Sequence, residues 1–178
     1  MTRARTTPDF RVGLVSDTHG LLRAEAIAAL RGSDHLIHAG DIGNAEILQR
    51  LSALAPLTAV RGNNDIGDWA DAVPGTQQIE LHGARIYVIH DLATLAIDPG
   101  AAGIDVVVSG HSHRSRCERR QGVLYVNPGS AGPRRFRLPI GVGILTIDAA
   151  GIDAELVTLD VGEGHASPSS GVRASRDR

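Results

Sequence analysis

The sequence predicts an α/β protein in which two β-sheets pack against each other and helices lie on the outside. Two observations lead to this fold class. Before Gln77, short apolar runs alternate with segments whose apolar residues recur at the period of a helix. From Gln77 onward, most segments are β-rich runs paired across short turns, as in hairpins. An α/β start followed by a strand-rich finish is compatible with two packed sheets and outer helices.

The first half is predicted to contain three strands separated by two helices. Apolar, β-branched runs at 12–16, 35–39 and 57–60 predict buried strands. An Ala- and Leu-rich helix is expected at 22–30, with Gly32 just past its end. A second helix is expected from Asn44, as its N-cap, to Leu54, before Pro56.

The second half is predicted to contain three hairpins and one further strand. The hairpins pair 77–81 with 85–89, 116–120 with 123–126, and 142–147 with 152–159. The β-branched run at 105–109 predicts the additional strand. Residues 10–161 are therefore expected to form one domain. Residues 1–9 and 162–178 are polar without apolar period and are expected to be flexible tails.

Composition excludes several classes of protein. All 18 basic residues are arginine, which excludes Schiff-base chemistry, a lysine-containing phosphate loop and a kinase-type ATP site. A net charge of −2 and 3% aromatic residues argue against a nucleic-acid partner. The single cysteine, Cys117, gives no sign of an oxidising compartment. Because no apolar run approaches the ~20 residues that span a bilayer, we expect a cytoplasmic protein without membrane contact.

Polar residues follow five of the predicted strands at their carboxyl ends. In α/β sheets, ligand sites assemble at this end of the strands. Each segment alone is also typical of an ordinary turn or a capping carboxylate, but five in order, each after a strand, point to one site. The segments are Asp17-Thr18-His19-Gly20, Gly40-Asp41, Gly62-Asn63-Asn64-Asp65, His90-Asp91 and Gly110-His111-Ser112-His113.

The residue types of these segments are those of a divalent metal centre. Carboxylate, imidazole and amide donors together suit borderline cations such as Mn²⁺, Fe²⁺ or Zn²⁺ better than Ca²⁺ or a cysteine-rich structural zinc site. A carboxylate such as Asp41 can bridge two cations. Two cations ~3.5–4 Å apart polarise a phosphoryl group and lower the pKa of a bridging water. The pattern therefore predicts metal-dependent phosphoester hydrolysis.

The same segments resemble the calcineurin-like metallophosphoesterases, in particular their small single-domain bacterial and archaeal phosphodiesterases. The resemblance extends over about residues 11–159 and includes Asn127-Pro128-Gly129-Ser130 with Pro133-Arg134. It implies a four-layer α/β/β/α fold, a two-sheet β-sandwich flanked by helices. It also implies two divalent cations, with manganese expected and Fe, Zn, Ni or Mg as alternatives.

By this resemblance, seven side chains would hold the two cations, and Asp41 would be shared. The first cation would be held by Asp17, His19, Asp41 and His113. The second would be held by Asp41, Asn63, His90 and His111.

Two positions depart from the family pattern. Many members have a histidine where Asn64 stands, and that histidine is assigned to assist the leaving group. Asparagine cannot act as a general acid at neutral pH, although the small subgroup commonly lacks this histidine too. Asp91 follows His90 where the family usually has glycine, so that it adds a carboxylate near the ligands. With Asp41 and Asn64, Asp65 is a catalytic candidate, expected to orient a ligand or cap a turn.

The resemblance implies hydrolysis of a phosphodiester in a small phosphorylated substrate, by in-line attack of a metal-bridging hydroxide. A phosphomonoesterase, including a protein or nucleotide phosphatase, is the alternative among enzymes. A protein-interaction scaffold is the alternative from another class, since a eukaryotic trafficking relative keeps this fold with part of the ligand set lost. A homo-oligomer is left open.

The remaining histidines and arginines have simpler interpretations. His35 and His38 lie within a predicted strand and are expected to be core or supporting residues rather than ligands. The arginines of the 116–126 hairpin and its approach are expected on a solvated face, with attraction of an anionic substrate as the alternative. They are Arg114, Arg116, Arg119 and Arg120.

Overall fold

The computed structural model describes residues 9–162 and contains two five-stranded sheets packed face to face. The ten strands are β1 (Phe10–Val15), β2 (His35–His38), β3 (Leu57–Ala59), β4 (Thr76–Leu81), β5 (Ala84–Ile89), β6 (Val106–Val108), β7 (Arg116–Arg120), β8 (Val123–Asn127), β9 (Gly141–Asp148) and β10 (Gly151–Thr158). The helices are α1 (Ala24–Leu30), α2 (Ala45–Ser52) and α3 (Asp68–Asp71), with a 3₁₀ turn at Leu92–Thr94.

Each sheet has parallel strands at its centre and a hairpin at one or both edges. The first sheet has the order β10-β9-β1-β2-β3, and the second β4-β5-β6-β8-β7. β1, β2 and β3 run parallel to one another, as do β5, β6 and β8. Every predicted strand and all three predicted hairpins are confirmed, with ends that differ by one or two residues.

The core has three parts, one for each interface between layers. The largest lies between the sheets and includes Leu14, Ile37, Ile86 and Val108, all fully buried. A second cluster packs α1 and α2 on the outer face of the first sheet. A third covers the outer face of the second sheet around Val107. The predicted β-sandwich with outer helices is thereby confirmed.

The two outer layers differ in kind. α2 begins as predicted, because the Asn44 side chain accepts a hydrogen bond from Ile47 N at 3.2 Å. The second sheet is covered by the 3₁₀ turn and the loop that follows it, through Leu92, Leu95 and Ile104. α3 and the 3₁₀ turn fall where the sequence predicted no element.

The helices of the described residues are short. The longest, α2, has eight residues, against the ~20 that a bilayer span requires. No helix within residues 9–162 combines the length and the apolar character needed to cross a membrane. The predicted flexible tails lie outside the described residues except for Asp9 and Gly162.

Candidate metal centre

The register of the parallel strands brings the polar segments together. Val15 of β1 pairs with His38 of β2, and His38 pairs with Ala59 of β3. The chain therefore leaves all three strands at the same edge of the first sheet. Backbone hydrogen bonds continue beyond the strands, from Asp17 N to Gly40 O at 3.0 Å and from Gly110 N to His90 O at 2.9 Å. The predicted ligands consequently converge from both sheets.

One group of donors is built from Asp17, His19 and His113. The two imidazole Nε2 atoms face each other at 3.3 Å. Asp17 Oδ1 lies 3.2 Å from the Nε2 of His113 and 3.9 Å from that of His19. The other oxygen, Oδ2, accepts hydrogen bonds from Ser16 Oγ at 2.6 Å and His111 N at 3.1 Å. The protein thus uses one carboxylate oxygen to fix Asp17 and directs the other at the histidines.

A second group is built from Asn63, His90 and His111. The amide oxygen Oδ1 of Asn63 lies 3.1 Å from His90 Nε2 and 2.9 Å from His111 Nδ1. His90 Nδ1 donates to the carbonyl oxygen of Ala39 at 2.7 Å, and this bond fixes the ring with Nε2 toward Asn63 and Asp41. The side chain of His111 is 46% exposed, whereas His90 is buried.

Asp41 lies between the two groups. Its Oδ2 is 3.7 Å from His19 Nε2, and its Oδ1 is 3.4 Å from His90 Nε2. Asn64 orients this carboxylate twice, because its backbone N donates to Oδ1 at 2.9 Å and its Nδ2 donates to Oδ2 at 2.6 Å. A carboxylate has about four lone-pair sites, so these bonds leave Asp41 able to accept two further partners.

The donors fit divalent cations on the structure's own evidence. Asp17 Oδ1 is buried and has no hydrogen-bond partner among the described residues. A buried carboxylate oxygen in this state destabilises the folded protein unless a bound cation or a donor satisfies it. The Nε2 atoms of His19 and His113 face each other at 3.3 Å, as two nitrogen ligands of one cation would. Independently of the sequence argument, Asp17-His19-His113 and Asp17-Asp41-His90 each bring their donor atoms within 4.8 Å of one another.

Burial, hydrogen bonds and neighbouring charges shift the pKa values of groups in the centre. Burial raises the pKa of Asp41, but hydrogen bonds from His90 and Asn64 outweigh it, and the pKa falls well below its ordinary value. Burial lowers the pKa of His90, but Asp41 and the Ala39 carbonyl raise it above the ordinary value. Burial is the main reason that the pKa of His19 is lowered. The centre thus keeps a carboxylate ionised beside imidazoles.

Strained backbone is concentrated at the predicted ligands. Eight non-glycine residues among those described have a positive φ, and five of them are predicted metal ligands. Such conformations are uncommon for residues with a Cβ and persist where the surroundings impose them, often at functional sites. The five are Asp17 (φ 54°), His19 (45°), Asp41 (53°), His111 (67°) and His113 (56°).

The contacts of two supporting residues, Asn127 and Ser130, could not be predicted from the sequence. Asn127 donates from Nδ2 to Gly110 O at 2.7 Å and accepts from Gly129 N at 2.9 Å, which holds the loop that carries His111. Ser130 Oγ donates to Asp17 O at 2.9 Å. The resemblance drew attention to this Asn-Pro-Gly-Ser segment, but only the structure gives each residue a contact.

Asp65 serves the backbone rather than the centre. Its two carboxylate oxygens accept hydrogen bonds from Gly43 N and Gly62 N, both at 2.8 Å. Gly43 follows Asp41, and Gly62 precedes Asn63. Asp65 therefore ties together two loops that carry predicted ligands, and both of its oxygens are directed at backbone amides.

His38 supports the centre from within the core. Thr18 Oγ1 donates to Ile42 O at 2.9 Å, so His38 Nε2 must be the donor in its 2.9 Å contact with Thr18 Oγ1. His38 Nδ1 accepts from Gly40 N at 3.1 Å. Both bonds require the neutral ring, and complete burial lowers the pKa of His38 to about 4. As predicted, His38 is a core residue and not a ligand.

An open cleft of about 660 Å³ gives access to the second donor group. Its lining includes Asn63, His90 and His111 together with Arg61 and Thr76. Asp91 lines the cleft as well, with its Oδ2 at 3.9 Å from His111 Nε2. The centre is therefore accessible to a small molecule.

Comparison with known proteins agrees with this arrangement. The family model of the calcineurin-like phosphoesterase superfamily domain matches residues 10–150. A probable metallophosphoesterase of Methanothermobacter thermautotrophicus is 32% identical over 161 residues, covering 82% of this chain and 91% of the relative. Phosphodiesterase YfcE of Escherichia coli strain K12 is 29% identical over 163 residues, covering 78% and 89%.

Solved structures with the same fold include proteins with quite different names. Vacuolar Protein Sorting 29 from Cryptosporidium parvum has a TM-score of 0.68 at 17% identity, covering 84% of this chain and 97% of that one. At this identity the similarity concerns the fold alone. The family assignment rests on the domain match and the archaeal relative. This chain belongs to the calcineurin-like phosphoesterase superfamily.

Proposed function

We propose that the protein is a phosphodiesterase that uses two divalent cations. The observation that carries this proposal is the pair of donor groups with Asp41 between them, 3.7 Å from His19 and 3.4 Å from His90. Asp17, His19, Asp41 and His113 would hold the first cation. Asp41, Asn63, His90 and His111 would hold the second.

Manganese is the proposed working metal, and the donor chemistry is compatible with it. Imidazole, carboxylate and amide oxygen suit borderline cations, and iron, zinc or nickel fit the same set. Magnesium prefers an all-oxygen octahedron with several waters, which four histidines disfavour. The cations would supply Lewis-acid polarisation of the phosphoryl group and a hydroxide nucleophile at neutral pH.

The remaining work falls to the protein's own residues. Asn64 holds Asp41 in place through its two hydrogen bonds at 2.9 and 2.6 Å. Its amide cannot donate a proton to a departing alkoxide at neutral pH. The leaving group must therefore be stable as an anion or take its proton from solvent. Asp65 keeps the loops of Asp41 and Asn63 in register through Gly43 and Gly62.

The preference for diesters is supported by relatives. Phosphodiesterase is the name of YfcE and of a protein from Methanocaldococcus jannaschii that is 27% identical over 155 residues. The direct test compares bis(p-nitrophenyl) phosphate with p-nitrophenyl phosphate in the presence of Mn²⁺. The diester should be turned over faster, and a chelator should abolish the reaction.

Matched variants make the test specific. Asp41→Asn should lose turnover, whereas Arg31→Gln, an exposed substitution at the end of α1, should keep it. A higher kcat/KM for the monoester would support the phosphatase alternative. Failure to hydrolyse either ester with any of the five candidate metals would overturn the proposal.

A non-catalytic scaffold is the second candidate, favoured by the structural similarity to Vacuolar Protein Sorting 29. The complete set of donors favours the enzyme, as does Asp17 Oδ1, which has no hydrogen-bond partner within residues 9–162. The Asp41→Asn variant separates the two as well, because a scaffold would keep its partner protein when metal binding is lost.

A further inference from the structure

A pocket of about 260 Å³ opens beside the second donor group and is separate from the open cleft described above. The two cavities share Asp91 and His111 as lining residues. A molecule with its phosphorus at the donor groups would therefore reach the pocket by passing His111. The side chains that give the pocket its character are Asp91, Leu92, His111, Arg114, Glu118 and Tyr125.

The floor of the pocket is firmly packed. Leu92 and Tyr125 pack against the buried cluster of Ile89, Val107 and Val123 on the outer face of the second sheet. The guanidinium carbon of Arg120 lies 4.9 Å from the centroid of the Tyr125 ring, which restrains it further. A flat apolar group is the kind of ligand that a fixed aromatic and aliphatic floor accommodates.

The carboxylates of the pocket are already engaged. Asp91 Oδ1 accepts a hydrogen bond from Ala93 N at 2.9 Å, and its Oδ2 faces His111. Glu118 forms ion pairs with Arg116, at 2.8 Å, and with Arg120. Neither carboxylate is therefore free to neutralise a further cation.

Arg114 carries a positive charge that is paired with no carboxylate of residues 9–162, whereas Arg116 and Arg120 share Glu118. Its backbone N donates to Ser112 Oγ at 3.3 Å, but its guanidinium takes part in none of the ion pairs or side-chain hydrogen bonds of residues 9–162. Arginine binds carboxylate and phosphate through two parallel hydrogen bonds. The sequence favoured a solvated face for Arg114, and its place in the pocket wall favours the anion-binding alternative.

We propose that this pocket binds the leaving group of the substrate, and that this group is a single ring carrying an anionic substituent, which Arg114 binds. The volume suits one ring, since pockets for drug-sized ligands begin at ~300 Å³. The ring also agrees with a centre that has Asn64 where other members have an acid, because aryl alcohols leave readily as anions, and the anionic substituent is inferred from Arg114 alone. The inference rests on the proposed function and specifies its substrate class.

The test uses three phosphate esters as ligands of the manganese-loaded protein. They are methyl phosphate, phenyl phosphate and 4-carboxyphenyl phosphate, measured by calorimetry and as inhibitors of bis(p-nitrophenyl) phosphate hydrolysis. Phenyl phosphate should bind more tightly than methyl phosphate. The carboxylated ester should bind roughly 10-fold more tightly than phenyl phosphate, as expected for one charge-assisted contact.

Arg114→Gln should remove the preference for the carboxylated ester and leave the affinity for phenyl phosphate within about 2-fold. Arg114→Lys should restore part of the preference, and Arg31→Gln should change neither. Equal binding of the two aryl esters to the unmodified protein, or an undiminished preference in Arg114→Gln, would overturn the pocket assignment. Hydrolysis without that preference refutes only this inference, whereas absence of hydrolysis with the preference intact refutes only the proposed function.

Discussion

Substitution of Gly62 by alanine tests how closely the ligand loops must pack. A Cβ at this position would lie 2.1 Å from Asp41 Oδ1 and 2.2 Å from Asp41 N. Ordinary contacts begin near 3.4 Å, and the second neighbour is backbone, so the two loops would have to separate by roughly 1 Å. Gly62 does not have a positive φ, so alanine is allowed by the backbone and the effect is purely steric.

The expected magnitude follows from this displacement. Functional geometry must be held within ~0.5 Å, and disturbing the support of a metal ligand costs ~10–100-fold in affinity. Overpacking also costs about 1–3 kcal/mol of stability. We expect Gly62→Ala to bind Mn²⁺ at least ~10-fold more weakly by calorimetry and to unfold at lower urea concentration.

The matched control is Gly100→Ala. Gly100 is exposed, has no positive φ, and its added Cβ would meet only Asp98 Oδ1, at 3.5 Å. This variant should bind metal and unfold like the unmodified protein. If Gly62→Ala bound two equivalents of Mn²⁺ with unchanged affinity, the packing argument for Asp41 would be refuted.

Three further substitutions probe separate parts of the centre. Burial lowers the pKa of His38 from 6.5 in the unfolded chain to about 4 in the folded protein. Between these pH values the unfolded chain binds more protons than the folded protein. The neutral His38 ring therefore contributes about 3 kcal/mol to the free energy of unfolding above pH 6.5, and this contribution is lost as the pH falls toward 4. In metal-free protein, His38→Gln should therefore reduce the loss of stability between pH 7.5 and 5, measured by urea unfolding. Asp91→Asn should weaken the second Mn²⁺ about 10-fold in calorimetry, because Asp91 Oδ2 faces His111 Nε2 at 3.9 Å. Asn64→His should raise kcat at least ~10-fold for an alkyl diester relative to an aryl one, by providing a general acid.

Each of these has a clear contrary result. An unchanged pH dependence in His38→Gln would mean that another group causes the acid loss. If Asp91→Asn bound both Mn²⁺ ions as tightly as the unmodified protein does, Asp91 would have no part in metal binding. If Asn64→His accelerated alkyl and aryl diesters equally, the introduced histidine would not be acting by protonating the leaving group.

Much of the fold was predictable because each strand is marked locally. The β-branched runs of β1, β5 and β6 each end in a polar residue beside a turn. These residues mark where each strand ends, and they predict that the carboxyl ends of the strands lie close together at one site. α3, with four residues, and the 3₁₀ turn, with three, were not predicted because such segments are too short to show the periodic spacing of apolar residues that marks a helix. Their positions follow from tertiary packing, as Trp69 and Leu92 show.

The candidate site was predictable as a set of residues but not as a geometry. The residue types and their order predicted the candidate ligands. Only the structure shows that one oxygen of Asp17 accepts hydrogen bonds from Ser16 and from His111, which is 94 positions away. The same holds for Asn127 and Ser130, whose contacts are long-range. The engagement of both Asp65 oxygens by backbone amides likewise appears only in three dimensions.

The most direct test of the two-cation centre is anomalous diffraction from crystals grown with Mn²⁺. Two peaks should appear in each chain, one beside Asp17, His19 and His113, the other beside Asn63, His90 and His111, with Asp41 between them. A single peak, or none at saturating Mn²⁺, would contradict the account.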